Sequence, residues 1–237
     1  MTNNQQLIAT KCQEELDLQN ARLSNEYYYD SLPQCIIDAV FSIGVKYVTT
    51  RNTVIKYCEK YNVTRIADPL DTPSDSHTVG NLIENMVRYS DYGAEAVFKN
   101  HQRTSSKNGI LKAEAVYKFA KVLSDNGIQT ISDIRSASPQ TISNIETEIK
   151  KIKGQKSGIS FSYFLMLSGD DNHMKIDRWL LRFVGEALGI NRFRDIAQAY
   201  ADLVAVSGEL KQIYPALTPR LLDHTIWSYI KAKESSK

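Results

Sequence analysis

Apolar residues recur at helical spacing along almost the whole chain, and no segment alternates polar and apolar for long enough to build a sheet. Residues 32–43 (LPQCIIDAVFSI) align Ile36, Ile37, Val40 and Phe41 in one broad stripe, and 50–61 puts Val54, Ile55 and Cys58 on one face. Residues 79–89 repeat the pattern through Leu82, Ile83, Met86 and Val87, and 110–123 (ILKAEAVYKFAKVL) is the cleanest helix of the chain. Asn126-Gly127 ends it with residues that accept left-handed geometry. Further helices start at Thr130 or Ser132 and at Ser138-Pro139, the latter running to Ile149 or Ile152. Residues 159–167 (ISFSYFLML) are nearly all apolar, as a buried helix would be. After a short acidic loop at 168–174 come two amphipathic helices, 177–188 and 196–210, and Thr218-Pro219 opens a last one. Residues 67–76 (ADPLDTPSDS) read as a loop. The expectation is an all-α fold with no repeat period.

Composition then narrows the function classes. Of 237 residues, 42% are hydrophobic and 24% charged, and no apolar run approaches the length of a membrane span, so no membrane partner is expected. The polar start MTNNQQLIATKCQEEL is unlike a signal peptide, which makes the expected location cytoplasmic, nucleoid-associated in a prokaryote. Cys12, Cys35 and Cys58 form no C-x-x-C, which points to reduced thiols and away from a four-cysteine zinc or iron–sulfur site. His101, His173 and His224 are dispersed, so no metal is expected.

The formal net charge of +2 conceals an uneven distribution: residues 101–156 carry ten Lys/Arg against five Asp/Glu, whereas 1–100 carry nine against thirteen. Lys150, Lys151, Lys153 and Lys156 fall within seven residues. A concentrated excess is what one face meeting a polyanion requires, and it is also what a solvated helix end would carry. Inside this stretch, Gly154-Gln155-Lys156-Ser157-Gly158 interrupts the pattern between two helices. A glycine-bracketed turn presents backbone N–H groups with no side chain in the way, and together with the positive end of the next helix it can hold a phosphate. Lys153 and Lys156 would add an attraction that weakens with salt. Asp177 follows at a helix start, where amide donors keep a carboxylate charged; the same position suits a plain N-terminal cap.

The segment IKKIKGQKSGISFSYFLMLSGDDNHMKIDRWLLRFV resembles the helix-hairpin-helix, loop and aspartate motif of the helix-hairpin-helix DNA glycosylase superfamily. LPQCIIDAVFSIGVKYVTTRNTV resembles its first barrel helix and the following turn, and NGILKAEAVYKFAKVL the helix with a Lys-Ala pair, here Lys112-Ala113. The resemblance implies a two-lobed helical fold, with one lobe over 32–168 and the other from 1–31 plus 169–237, and Asp177 at the groove between them. It implies contacts to double-stranded DNA from Lys153, Gly154, Gln155, Lys156, Ser157 and Gly158. The hairpin departs from the family's Leu-Pro-Gly-Val-Gly, keeping the apolar Ile152 and one glycine. With Ile152 aligned to the hairpin leucine, the strand-cleaving members' lysine position falls on Gly158, nineteen residues before Asp177. Lys156, twenty-one residues before it, is the competing alignment. The first puts an apolar side chain where the hairpin buries one, and it implies a monofunctional enzyme with Asp177 as the catalyst. No cofactor is implied, since no cysteine follows Cys58 to hold the iron–sulfur cluster of some members, although a monovalent cation at the hairpin is compatible.

Asp38 falls near where adenine-excising members hold a general-acid glutamate, though a solvated helix face also accounts for it. Gln102, Arg103, Thr104 and Ser105, with Asn108, form a polar loop suited to phosphate contact, to a base pocket, or simply to solvent. Tyr27, Tyr28 and Tyr29 are candidates for base stacking or for packing, and Trp179 and Trp227 are expected in the core. The expected function is excision of a flipped damaged or modified base by hydrolysis of its N-glycosidic bond. A non-catalytic DNA-binding protein is the alternative, and a helical protein-binding module the third reading.

Overall fold

In this computed structural model, residues 1–68 and 72–235 are described. They form an all-helical chain: α1 (Asn3–Glu15), α2 (Leu32–Phe41), α3 (Tyr47–Tyr61), α4 (Val79–Val87), α5 (Lys112–Asp125), α6 (Ile131–Ser136), α7 (Pro139–Lys151), α8 (Ile159–Leu167), α9 (Arg178–Leu188), α10 (Ile196–Leu210) and α11 (Pro219–Ser235). Extended pairing among the described residues is confined to two isolated bridges, Tyr29 with Ile66 and Arg103 with Leu111. Helices α8 and α10 have the bounds that their apolar patterns predict. The helix α1 is not announced by its pattern. It is started by a capping box in which Thr2 and Gln5 satisfy each other's amides, and it buries Ile8, Ala9 and Cys12. Of the expected loop at 67–76, residues 69–71 lie outside the described residues.

The chain divides into two compact units, Asn25–Gly169 and Met1–Ser24 with Asp170–Lys237. In the first, α2 is the central helix, with all ten residues buried and α3, α5 and α8 packed around it. Leu32, Ile36, Ile37 and Phe41 are fully buried, each contributing about 1.5–3 kcal/mol relative to an exposed side chain. The end of α2 is closed from outside: the buried Lys112 donates Nζ to the carbonyls of Phe41 and Ile43, both at 2.8 Å. Against α5 lie α4 and α7, and α8 is buried on nearly every side, as its composition requires.

In the second unit, α1 packs on α9 and α10, and α11 on the same two helices, so segments distant in sequence share one core. Ile8, Cys12, Phe183, Val184, Leu203, Val206, Leu222 and Ile226 fill it. Side chains cap the helix starts: Asp177 for α9, Asp195 for α10, and Thr218, whose Oγ1 accepts from Leu221 N at 3.1 Å, for α11. The three cysteines are buried and unbridged. Burial pushes the Cys12 thiol up to about 12 and the Cys58 thiol up to about 11, which makes both poor nucleophiles. Among the described residues, no helix is long and apolar enough to cross a membrane.

Candidate nucleic-acid interface and carboxylate site

The connection between α7 and α8 is a tight hairpin whose shape two glycines permit. Gly154 has φ +93° and Gly158 φ +75°, both in the left-handed region that side chains disfavour. Ile152, immediately before the turn, is buried. Two of the turn's amides are used internally: Gln155 N donates to Ile152 O at 2.9 Å, and Gly158 N to Gln155 O at 3.0 Å. The amides of Gly154, Lys156 and Ser157 donate to no protein group among the described residues.

The lysines of the cluster differ in the same way. Lys150 pairs with Glu146 at 2.6 Å and Lys151 with Glu148 at 2.5 Å along α7, leaving these charges locally balanced. Lys153 and Lys156 are exposed and have no carboxylate partner among the described residues. The free cations and the free amides therefore coincide in one turn.

Gln155 corrects the sequence expectation. Its side chain is 2% exposed and accepts a hydrogen bond from the Ser160 hydroxyl, so it braces the turn from inside and does not face a ligand. Gly158 is buried as the N-cap of α8, against the Lys150 side chain. Ser157 is exposed and caps locally, its Oγ accepting from Ile159 N at 3.4 Å.

The polar loop predicted at 102–108 packs onto this hairpin. Thr104 lies against Gly154, and its own backbone is fixed by Thr104 N donating to Ile110 O at 2.9 Å. Arg103 Nε donates to Gly109 O at 2.9 Å, and Asn108 takes φ +56° at the loop's corner; both residues are exposed. Gln102 is half-buried and its carbonyl receives Lys112 N at 2.8 Å, which ties the loop to the start of α5. Nothing in the loop's sequence identifies its partner; the juxtaposition of Thr104 and Gly154 is purely tertiary.

Asp38 also departs from expectation. It is wholly buried, with Tyr29 OH donating to Oδ2 at 2.8 Å, so it reaches neither a phosphate nor solvent in this conformation. Burial, with the nearby Asp38 charge second, drives the phenols of Tyr29, Tyr47 and Tyr163 upward. Tyr27 stacks on Tyr47 with centroids 6.1 Å apart, so the tyrosine run is engaged in packing. Trp179 and Trp227 are half-buried rather than core residues. Arg178 lies over the first ring at 4.5 Å, and His224 stacks on the second at 6.0 Å.

Asp177 belongs to the other unit. As the N-cap of α9 it accepts from Trp179 N at 2.8 Å. Burial raises its carboxyl, against the opposing pull of Lys175, the Trp179 and Leu180 amides and Arg178. Asp223 on α11, which the sequence did not single out, shares Lys175 with it and also has Arg220 nearby. Its Oδ2 accepts from Lys175 N at 2.6 Å, and burial, reinforced by the charge of Asp177, lifts it to about 8. Arg220, one turn earlier, is buried and reaches Asp171 Oδ1 at 3.4 Å. Two carboxyls in one electrostatic neighbourhood are thus both raised by burial, and Asp223, lifted to about 8 with the charge of Asp177 contributing, is the one that favours a proton at neutral pH. Among the described residues, no group of three His, Cys, Asp or Glu is arranged to hold a metal ion.

These features define an all-helical chain of two compact units, one with a basic glycine hairpin and the other with the neighbouring carboxyls of Asp177, at the start of α9, and Asp223 within α11. The chain belongs to the family described as a domain of unknown function (DUF8548), whose model matches residues 6–231. No curated protein and no solved structure matches it.

Proposed function

We propose that this protein is a DNA glycosylase that hydrolyses the N-glycosidic bond of a damaged or modified base turned out of the duplex. The observation that carries the reading is the unequal carboxyl pair, with Asp177 capping α9 beside a proton-bearing Asp223. Breaking an N-glycosidic bond builds positive charge on the deoxyribose, and a carboxylate near C1′ stabilises that charge and orients the attacking water. A neutral Asp223 spares Asp177 a second negative charge beside it, while Lys175, Arg178 and the Trp179 and Leu180 amides pull against the burial that raises its carboxyl. The hairpin supplies grip on the strand: the free Gly154, Lys156 and Ser157 amides suit phosphate oxygens, and Lys153, Lys156 and Arg103 add positive charge. Turning a nucleotide out costs a few kcal/mol, least for a mispaired or damaged base, which gives the reaction its first selectivity.

The test is a panel of duplexes carrying single modified or mismatched bases, scored for abasic sites by alkaline strand cleavage. Wild-type protein is expected to process at least one member, and Asp177→Asn to lower the single-turnover rate by about 100-fold or more with affinity retained. Borohydride is expected to trap no covalent adduct, because Lys156 serves as a phosphate contact. Duplex binding without cleavage on any substrate would leave a non-catalytic DNA-binding protein.

A further inference from the structure

Beside α9 lies a cleft of about 630 Å³, formed where the loop after the helix folds back on it. Gly185 allows this close approach: a Cβ there would lie 2.8 Å from the Ile190 carbonyl oxygen and 3.2 Å from Phe193 Cβ. The loop turns through Gly189 at φ +66° and Arg192 at φ +61°, the latter a conformation that side-chain-bearing residues seldom adopt. Leu181, Ile190 and Phe193 give the cleft apolar lining, with Ile190 47% exposed. Arg178, Arg192 and Arg194 also line it; Arg192 and Arg194 have no carboxylate partner among the described residues, whereas Arg178 lies over Trp179 and acts on the neighbouring Asp177. The cleft's own acid, Glu186, is already taken by Arg182 at 2.9 Å and Lys233 at 3.3 Å.

Two guanidiniums without a carboxylate partner, Arg192 and Arg194, beside apolar and aromatic surface suit a ligand with an anionic group and a flat apolar body. A nucleotide has both: phosphate for the planar donor forks of arginine, and a base face for Phe193. A glutamate-rich peptide would satisfy the charges but leave the apolar lining uncovered. Arg178 directly follows Asp177 in sequence, so a strand presenting a sugar to that carboxylate has its neighbouring nucleotide close at hand. We infer that the 178–194 cleft is a nucleotide subsite that holds one unpaired nucleotide of the bound strand, with its phosphate on the arginines and its base on the apolar lining. The inference rests on the nucleic-acid reading above and adds to it a preference for locally single-stranded substrate.

Fluorescence anisotropy on the full chain tests it, using a labelled single-stranded oligonucleotide and the same sequence as duplex. The variants are Arg192→Asn with Arg194→Ala, Phe193→Ala, and Lys153→Ala with Lys156→Ala; asparagine at 192 tolerates the positive φ. The arginine pair is expected to weaken single-strand binding about 10-fold and to flatten its salt dependence by about one ion, with duplex binding changed less. Phe193→Ala is expected to weaken the same binding about 5- to 100-fold. Circular dichroism of each variant separates loss of contact from loss of fold. If the lysine pair loses affinity for both probes while the arginine pair and Phe193→Ala retain it, the subsite is refuted and the glycosylase reading stands. If no form binds either probe, both fall. A glutamate-rich peptide that binds through Arg192 and Arg194 while the oligonucleotide does not would make the cleft a peptide site and overturn the inference.

Discussion

Gly154 and Thr104 meet so closely that a β-carbon on the glycine would overlap the threonine Cβ and lie 2.7 Å from its Oγ1. This contact joins two basic loops, 102–108 and 152–158, into one surface, and neither loop could present that surface alone. The glycine is required twice over, for the missing side chain and for φ +93°.

Gly154→Ala is therefore expected to cost about 1–3 kcal/mol in urea unfolding, from the backbone conformation alone, and more where Thr104 cannot yield. Adding Thr104→Gly should relieve the overlap but not the dihedral cost, giving partial rescue. An alanine variant as stable as wild type would mean that the hairpin relaxes away from the loop.

At position 177, capping and chemistry separate by choice of substituent. Asp177→Ala removes the acceptor for Trp179 N and is expected to cost about 0.5–2 kcal/mol in thermal or urea unfolding. Asp177→Asn keeps an N-cap acceptor and should unfold near wild type while losing base excision. Equal excision rates for Asp177→Asn and wild type would assign Asp177 a capping role only.

Lys112 carries its charge into the interior, where Phe41 O and Ile43 O receive it. Lys112→Met retains the aliphatic stem but strands both carbonyls, so a loss of about 2–3 kcal/mol is expected from denaturant unfolding. A neutral result would show that water reaches the end of α2 in place of the ammonium group.

Asp223 makes a signed prediction about pH. Its folded-state pKa of about 8 lies above the ordinary carboxyl value of 3.8, so the folded protein holds a proton that the unfolded chain releases. The resulting stabilisation is complete below pH 4 and is lost as pH rises towards 8, with a slope of at most about 1.4 kcal/mol per pH unit from this group. Asp223→Asn, which still offers an oxygen to Lys175 N, should flatten melting temperature against pH across that window. A wild-type profile that rises between pH 5 and 8, unchanged by the substitution, would contradict a proton-bearing Asp223.

The helices were legible because each has a local cause. The all-apolar run of α8, the Asp195 cap of α10, and Pro219 after Thr218 are written into adjacent residues. The α1 helix escaped because its apolar face is weak: Ile8, Ala9 and Cys12 acquire their burial from α9 and α10, which are nearly the whole chain away. The same holds at the sites. The glycines at 154 and 158 and the acid at a helix start carried a readable signal, but the burial of Gln155 and Asp38 did not. Each of these buried polar side chains has a partner from outside its own segment, Ser160 for Gln155 and Tyr29 for Asp38, and that pairing exists only in the folded chain.

Periodicity, caps and glycines, all short-range, determined that this chain is helical, where most of its helices begin and end, and that its lysines gather at a turn. Tertiary structure alone decided that Thr104 backs the hairpin and that burial lifts Asp223 towards a proton-bearing state. Those outcomes depend on burial and on charges brought together from distant segments, and neither quantity exists until the helices have packed.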